Sequence, residues 1–211
     1  MWWQYLVALA VGYLLGSLPV GLIVGRVARG IDIREYGSGK TGFTNVLRTV
    51  GARWGVVALA GDLAKGVVPV VITRLAFDEP FVDMSAGLAV AAGHDWPVFA
   101  GFRGGRGVAA SYGVALAMNP IAAAALLPVA AAVLGVTRIM SVMTVGLAPV
   151  LAILFVVLAA FDLQPWAYAI YAVVAAALVV VLHRENIARL LAGTEPRIGS
   201  GGDPREAPAD G

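Results

Sequence analysis

Apolar runs too long for the core of a small soluble domain set the terms for this chain. They fall at about 3–25, 53–75, 83–101, 107–119, 121–137, 142–161 and 165–183. Roughly 20 apolar residues in helical form cross the ~30 Å hydrocarbon layer of a bilayer. No water reaches backbone N–H and C=O groups there, so each run must close its hydrogen bonds internally, as a helix. The expectation is an all-α, polytopic membrane protein with seven transmembrane helices. Composition agrees: 60% of the 211 residues are hydrophobic and 13% are charged, too few polar groups to clothe a soluble globule of that size.

The fourth and fifth runs are short, and "MNP" (118–120) supplies a turn between them. Fusing 107–137 into one tilted helix would leave six crossings. Charge decides. With seven, Arg26, Arg29, Arg34, Lys40, Arg48 and Arg53 share a side with Arg103, Arg106, Arg138, Arg184, Arg189, Arg197 and Arg205. That gathers 13 of the 15 basic residues on one face, which the positive-inside rule makes cytoplasmic. The opposite face receives Asp78, Glu79, Asp83 and Asp162, with Arg74 near it. Six crossings would put Arg138 and the basic C-terminal segment outside. The N-terminus is therefore expected outside and the C-terminus in the cytoplasm, with residues 1–197 as the integral-membrane domain. The Gly-, Pro- and charge-rich tail 198–211 is expected to be disordered. The first run resembles a secretory signal peptide in position, but it lacks a positive n-region and is long enough to span, so it reads as a retained helix.

The chain has no cysteine, which removes disulfides, thiolate nucleophiles and Cys-type metal sites. Two histidines, His94 and His183, argue against a His-rich metal centre. Asp62 and Lys65 in "GDLAKG" are ionisable residues inside a span; at i, i+3 they share a helix face and can neutralise each other. Either they serve packing as an ion pair, or they belong to a proton or substrate path.

Polar residues that packing does not explain occur in four stretches on the basic side. "DIREYGSGKTGFTNVLR" (32–48) carries Ser38, Gly39, Thr44, Asn45 and Arg48 around a glycine-rich turn that opens a helix, a place that favours anions. It lacks the GxxxxGK[ST] spacing of a P-loop. "GHDWPVFAGFRGGRG" (93–107) sets Gly104 and Gly105 between Arg103 and Arg106, with Gly107 following. Such a backbone can approach a phosphate while the guanidinium forks bind its oxygens, although arginines also commonly end a span. "TRIMSVMT" (137–144) offers Ser141 in a turn, and "LHRENIARLLAGTEPR" (182–197) puts His183 and Asn186 on one face at i, i+3. Hydroxyls, amides, arginines and one histidine converge on a single membrane face. That chemistry suits holding phosphate and moving a proton. No carboxylate pair or nucleophile–His–Asp triad stands out, which favours direct transfer between two bound substrates.

Together "GSLPVG", "DIREYGSGKTGFTNVLR", "GDLAKG", "GHDWPVFAGFRGGRGVA" and "HRENIARLLAGTE" resemble the bacterial acyl-phosphate:glycerol-3-phosphate acyltransferases, in the right order from about residue 10 to 196. The resemblance implies seven membrane helices, an external N-terminus and a cytoplasmic active site in the plasma membrane. It also implies transfer of a fatty acyl group from acyl phosphate to the 1-hydroxyl of glycerol 3-phosphate, an early step of phospholipid synthesis. It implies no cofactor, no metal, no acyl-CoA and no nucleic acid, and a functional link to the enzyme that makes acyl phosphate. The family's positions fall on Ser38, Arg48, Arg106, Ser141, His183 and Asn186. Of these, Ser38, Arg48, His183 and Asn186 are assigned to glycerol 3-phosphate, with either His183 or a substrate phosphate oxygen as proton acceptor. Arg106 with Gly104, Gly105 and Gly107 is assigned to acyl phosphate. The sequence departs from the family's usual pattern at Lys40 and Phe43, and has arginine for lysine at Arg103 and Arg106. The rival classes are an organic-phosphate transporter, disfavoured because the polar groups avoid the midplane, and an inactive ligand-binding relative.

Overall fold

The computed structural model describes residues 1–200 and residue 203. Those residues form α-helices joined by short loops, with no β-strand. In chain order the helices are α1 (Trp2–Gly16), α2 (Val20–Arg29), α3 (Phe43–Thr49), α4 (Ala52–Phe77), α5 (Pro80–Asp95) and α6 (Val108–Met118). There follow α7 (Pro120–Ala125), α8 (Leu127–Thr137), α9 (Met140–Ala160), α10 (Trp166–Leu182) and α11 (Arg184–Leu191). The expected disorder of the tail lies, for residues 201, 202 and 204–211, outside the described residues. Before that point the chain makes contacts: the Ile198 N–H donates to the Arg138 carbonyl at 2.8 Å.

Every one of the seven apolar runs is helical. Trp2–Arg29, Ala52–Phe77, Pro120–Thr137 and Met140–Ala160 are each long and apolar enough to cross a membrane, and Trp166–Leu182 with Arg184–Leu191 makes a fifth candidate bent by 58°. Helices α5 and α6 are shorter, at 16 and 11 residues.

Prolines account for the interruptions. The first run, expected as one helix, breaks at Ser17–Pro19, because Pro19 has no N–H to give and excludes the preceding residue from helical geometry. The break frees the Leu18 carbonyl, which accepts a hydrogen bond from Lys65 Nζ at 2.9 Å. The third run ends at Asp95 rather than residue 101, since Pro97 follows Trp96 and forces it out of the α region. At "MNP" the Asn119 side chain accepts the Ala122 N–H at 3.0 Å and caps α7. Pro128 then splits α7 from α8.

Helices meet closely where small residues face each other, as membrane packing requires. Along α1, a Cβ placed on Gly12 or Gly16 would fall 2.3 Å from the Ala86 carbonyl oxygen or 2.6 Å from that of Val90, both on α5. The main core lies among α4, α5, α6, α9 and α10 around Phe155, Tyr171, Val70 and Val114. A second cluster, built on Ile33, Val46, Leu22 and Ala58, seats α3 and the loop before it. Leu75, Ile153 and Val181 are exposed on the outside, the arrangement of helices solvated by lipid.

Candidate active site

The loop before α3 is organised by one buried amide. Asn45 Nδ2 donates to the carbonyls of Ile33, Tyr36 and Lys40 at 2.9–3.0 Å, and its Oδ1 accepts the Ser38 N–H at 3.0 Å. Asn45 is 2% exposed, so its donors are committed to the backbone. Sequence reasoning placed Asn45 among substrate ligands; the structure shows it shaping the turn that presents Ser38. One turn later along α3, Arg48 projects toward the C-terminal segment and donates from Nη2 to the Pro196 carbonyl at 3.0 Å. Burial lowers the pKa of Arg48 from the ordinary guanidinium range. It remains a cation at neutral pH all the same.

Residues 193–198 return over this face as a strap. Gly193, at φ +71°, supplies the left-handed turn that ends α11. Glu195 then enters the site: Oε1 accepts the Ser141 hydroxyl at 2.8 Å and the Asn186 amide at 2.6 Å, and Oε2 accepts Arg189 Nε at 2.7 Å. Ser141 comes from the first turn of α9, which begins after Arg138 turns the chain in the left-handed region at φ +55°.

His183 occupies the bend between α10 and α11. Its Nδ1 lies 2.7 Å from the Val179 carbonyl oxygen. A carbonyl can only accept, so that nitrogen carries the proton and Nε2 is left with its lone pair in the neutral ring. Nε2 is 3.5 Å from the Thr144 hydroxyl. In the glycine loop, Arg106 Nε donates to the Leu182 carbonyl at 3.1 Å, next to His183, and Nη2 lies 3.9 Å from Glu185. Burial lowers the pKa of Arg106, with the Glu185 carboxylate working the other way.

These groups surround one cavity of about 490 Å³. Ser38, Arg48, Arg106, Ser141, His183 and Asn186 all line it, as do Thr44, Asn45 and Gly107. Away from them the walls are apolar, formed by side chains such as Leu126, Leu134, Leu147 and Leu151. Four expected ligands lie elsewhere. Gly39 and Arg103 are not on the wall, and Gly104 and Gly105 are buried against His94 beneath it. Glu195 and Arg189 also line the cavity, and sequence reasoning missed both. A charged Glu-Pro step just after a glycine turn was the available signal for Glu195. Asp62 and His94 reach the wall as well.

The sequence profile described as glycerol-3-phosphate acyltransferase matches residues 6–193. The chain belongs to that family. A glycerol-3-phosphate acyltransferase of Synechococcus sp. (strain CC9902) is 43% identical over 197 residues, spanning 93% of this chain and 96% of that one. Glycerol-3-phosphate acyltransferase 2 of Moorella thermoacetica (strain ATCC 39073 / JCM 9320) is also 43% identical, over 93% and 98% of the two chains. Crystal structures of PlsY (YgiH), an integral membrane glycerol 3-phosphate acyltransferase, superpose with a TM-score of 0.82 in both the lysophosphatidic acid and the glycerol 3-phosphate forms. Identity is 35% and 36%, over 92% of this chain and 94% or 96% of the other. The acyltransferase family thus brings an all-helical, integral-membrane fold whose motifs this chain carries in order.

Proposed function

We propose that this acyltransferase moves a fatty acyl group from acyl phosphate to the 1-hydroxyl of glycerol 3-phosphate, releasing inorganic phosphate and 1-acylglycerol 3-phosphate. The supporting observation is the two-part cavity: cations, hydroxyls and amides from four distant stretches at one end, and an apolar wall at the other. A phosphorylated acyl chain has the same two parts.

Arg48, Ser38, Ser141 and Asn186 serve the glycerol phosphate. Arg106, with Gly107 at the opening of α6, serves the acyl phosphate, whose chain lies along α6, α8, α9 and α10. The hydroxyl oxygen attacks the acyl carbonyl carbon, the bond from that carbon to the phosphate oxygen breaks, and the hydroxyl proton passes to His183 Nε2 and on to the departing phosphate. Fixed cations offset the dehydration of both phosphates and stabilise the charge that grows on the leaving group. The seven helical runs act as seven crossings of the bacterial plasma membrane, with the N-terminus outside and this site at the cytoplasmic face. There the enzyme that makes acyl phosphate would supply it.

The test is the purified protein in detergent with synthetic acyl phosphate or acyl-CoA and glycerol 3-phosphate. Phosphate release and lysophosphatidate formation with acyl phosphate alone are expected. Equal use of acyl-CoA, or no product from acyl phosphate, would overturn the donor assignment.

A further inference from the structure

Four ionisable side chains lie buried together below the glycine loop. Asp62 and Lys65 come from α4, and His94 and Asp95 from the end of α5, with exposures of 1%, 6%, 4% and 5%. Lys65 Nζ bridges Asp62 Oδ1 at 3.0 Å and the Leu18 carbonyl at 2.9 Å. His94 Nδ1 stands 3.6 Å from the same Asp62 oxygen, too long for a hydrogen bond. Burying such groups is costly unless they are paired, and several of their polar atoms, Asp62 Oδ2 and both Asp95 oxygens among them, have no partner.

The other side of the histidine carries the loop. The Gly105 N–H donates to the His94 carbonyl at 3.2 Å. A Cβ added to Gly105 would lie 2.0 Å from His94 Nε2, with only His94 ring atoms among its nearest neighbours. A Cβ on Gly104 would lie 2.1 Å from the His94 carbonyl oxygen, and one on Gly107 would lie 3.1 Å from Asp95 Oδ1. Three glycines of the loop thus rest directly on two consecutive residues of α5. The ring of His94 is gripped between the Asp62–Lys65 pair and Gly105.

We propose that His94, fixed by Asp62 and Lys65, is a positioning residue: it sets the course of residues 104–107 and so aims Arg106 and the first turn of α6 at a substrate phosphate. Gly104 and Gly105 then act without touching substrate, by letting the backbone settle onto the ring. Histidine suits the task because it is flat against glycine on one edge and polar toward a carboxylate on the other. The inference rests on the reading above that this loop holds acyl phosphate.

The experiment measures KM for each substrate, and kcat, on purified full-length variants that elute and melt like the parent. His94→Ala is expected to raise the acyl phosphate KM about tenfold or more, with kcat and the glycerol 3-phosphate KM within about threefold. Asp62→Asn, which keeps its shape, gives a smaller rise of the same kind and serves if His94→Ala fails to fold. Gly105→Ala is impaired because its methyl collides with the ring; in Gly105→Ala/His94→Ala that methyl has room, so the double variant is no worse than the poorer single one. Multiplying effects in the double variant, or unchanged KM values in both His94→Ala and Asp62→Asn, overturn the proposal while leaving the acyltransferase reading intact. A rise confined to the glycerol 3-phosphate KM, with the same non-additivity, keeps the role of His94 and overturns the assignment of the loop to acyl phosphate.

Discussion

Asn186 gives its amide hydrogen to Glu195 at 2.6 Å, and the same carboxylate oxygen receives the Ser141 hydroxyl at 2.8 Å. A negative group from the returning strap therefore sits among donors that line the cavity. Replacing Glu195 with Ala strands Ser141, Asn186 and Arg189 together. The expected cost is about 2 kcal/mol of stability, read as a lower unfolding midpoint in detergent. Glu195→Gln, which keeps an acceptor oxygen, falls between. An unchanged midpoint for Glu195→Ala would mean that the strap adds nothing to the folded state.

Acid should erase that difference. Burial pushes the Glu195 carboxyl up, but hydrogen bonds from Asn186, Ser141 and Arg189 outweigh it and hold its pKa below the ordinary 4.5. A depressed folded value means that the carboxylate's contribution is complete above the ordinary value and disappears as pH falls through the folded one. The midpoint gap between parent and Glu195→Gln is expected to stay constant from neutral pH down to that range, then close. A gap that closed well above it would contradict the geometry.

Arg48 and Arg106 reach the cavity from α3 and from the glycine loop, and each is tied by one nitrogen to a backbone carbonyl. That tether orients the fork before substrate arrives. Arg48→Ala and Arg106→Ala are each expected to lower kcat/KM about 100-fold or more, measured as phosphate release. Near-parental turnover in either would remove that cation from the anion site.

His183 is poised by Val179, which holds the proton on Nδ1. If Nε2 accepts the hydroxyl proton, His183→Gln loses kcat about 100-fold with little change in the glycerol 3-phosphate KM. Substantial residual kcat would hand proton acceptance to a substrate phosphate and leave the ring an orienting group.

Asn45 makes a sharper structural test than any ligand. Asn45→Asp preserves the outline but puts a carboxylate oxygen against the carbonyls of Ile33, Tyr36 and Lys40. A loss of about 3 kcal/mol is expected, seen as a lower unfolding midpoint, with a higher glycerol 3-phosphate KM because Ser38 moves with the loop. A folded variant with parental KM would show that the turn is held by other means.

Much of this was legible from the residues because lipid imposes simple rules. Each apolar run had to be mainly helical, and it is, although prolines divide the first and fifth runs into two helices each and end the third early. Ser38, Arg48, Arg106, Ser141, His183 and Asn186, distant in the sequence, line one cavity. What the sequence left hidden has one cause. Polar residues beside a site look like ligands in sequence, whether they touch substrate or hold the backbone that does. The partners of Asn45 are backbone groups of its own loop, and Gly104 and Gly105 lie against His94, contacts that no spacing in the sequence reveals. Glu195 was passed over for the opposite reason, since a charged residue in a Gly- and Pro-rich tail reads as solvated until a fold gives it three donors. His94 and Asp62 stand 32 positions apart, and no periodicity relates residues on different helices.

The seam between α1 and α5 has a further effect. Gly12, Gly16 and Gly93 leave no volume for even a methyl group; a Cβ on Gly93 would sit 2.4 Å from the Tyr13 carbonyl oxygen, one residue before His94. At such places the alphabet shrinks to a single letter, whatever the organism's lipids or temperature. Divergence in a chain built this way must run along the oily exterior, where bulk is free to vary.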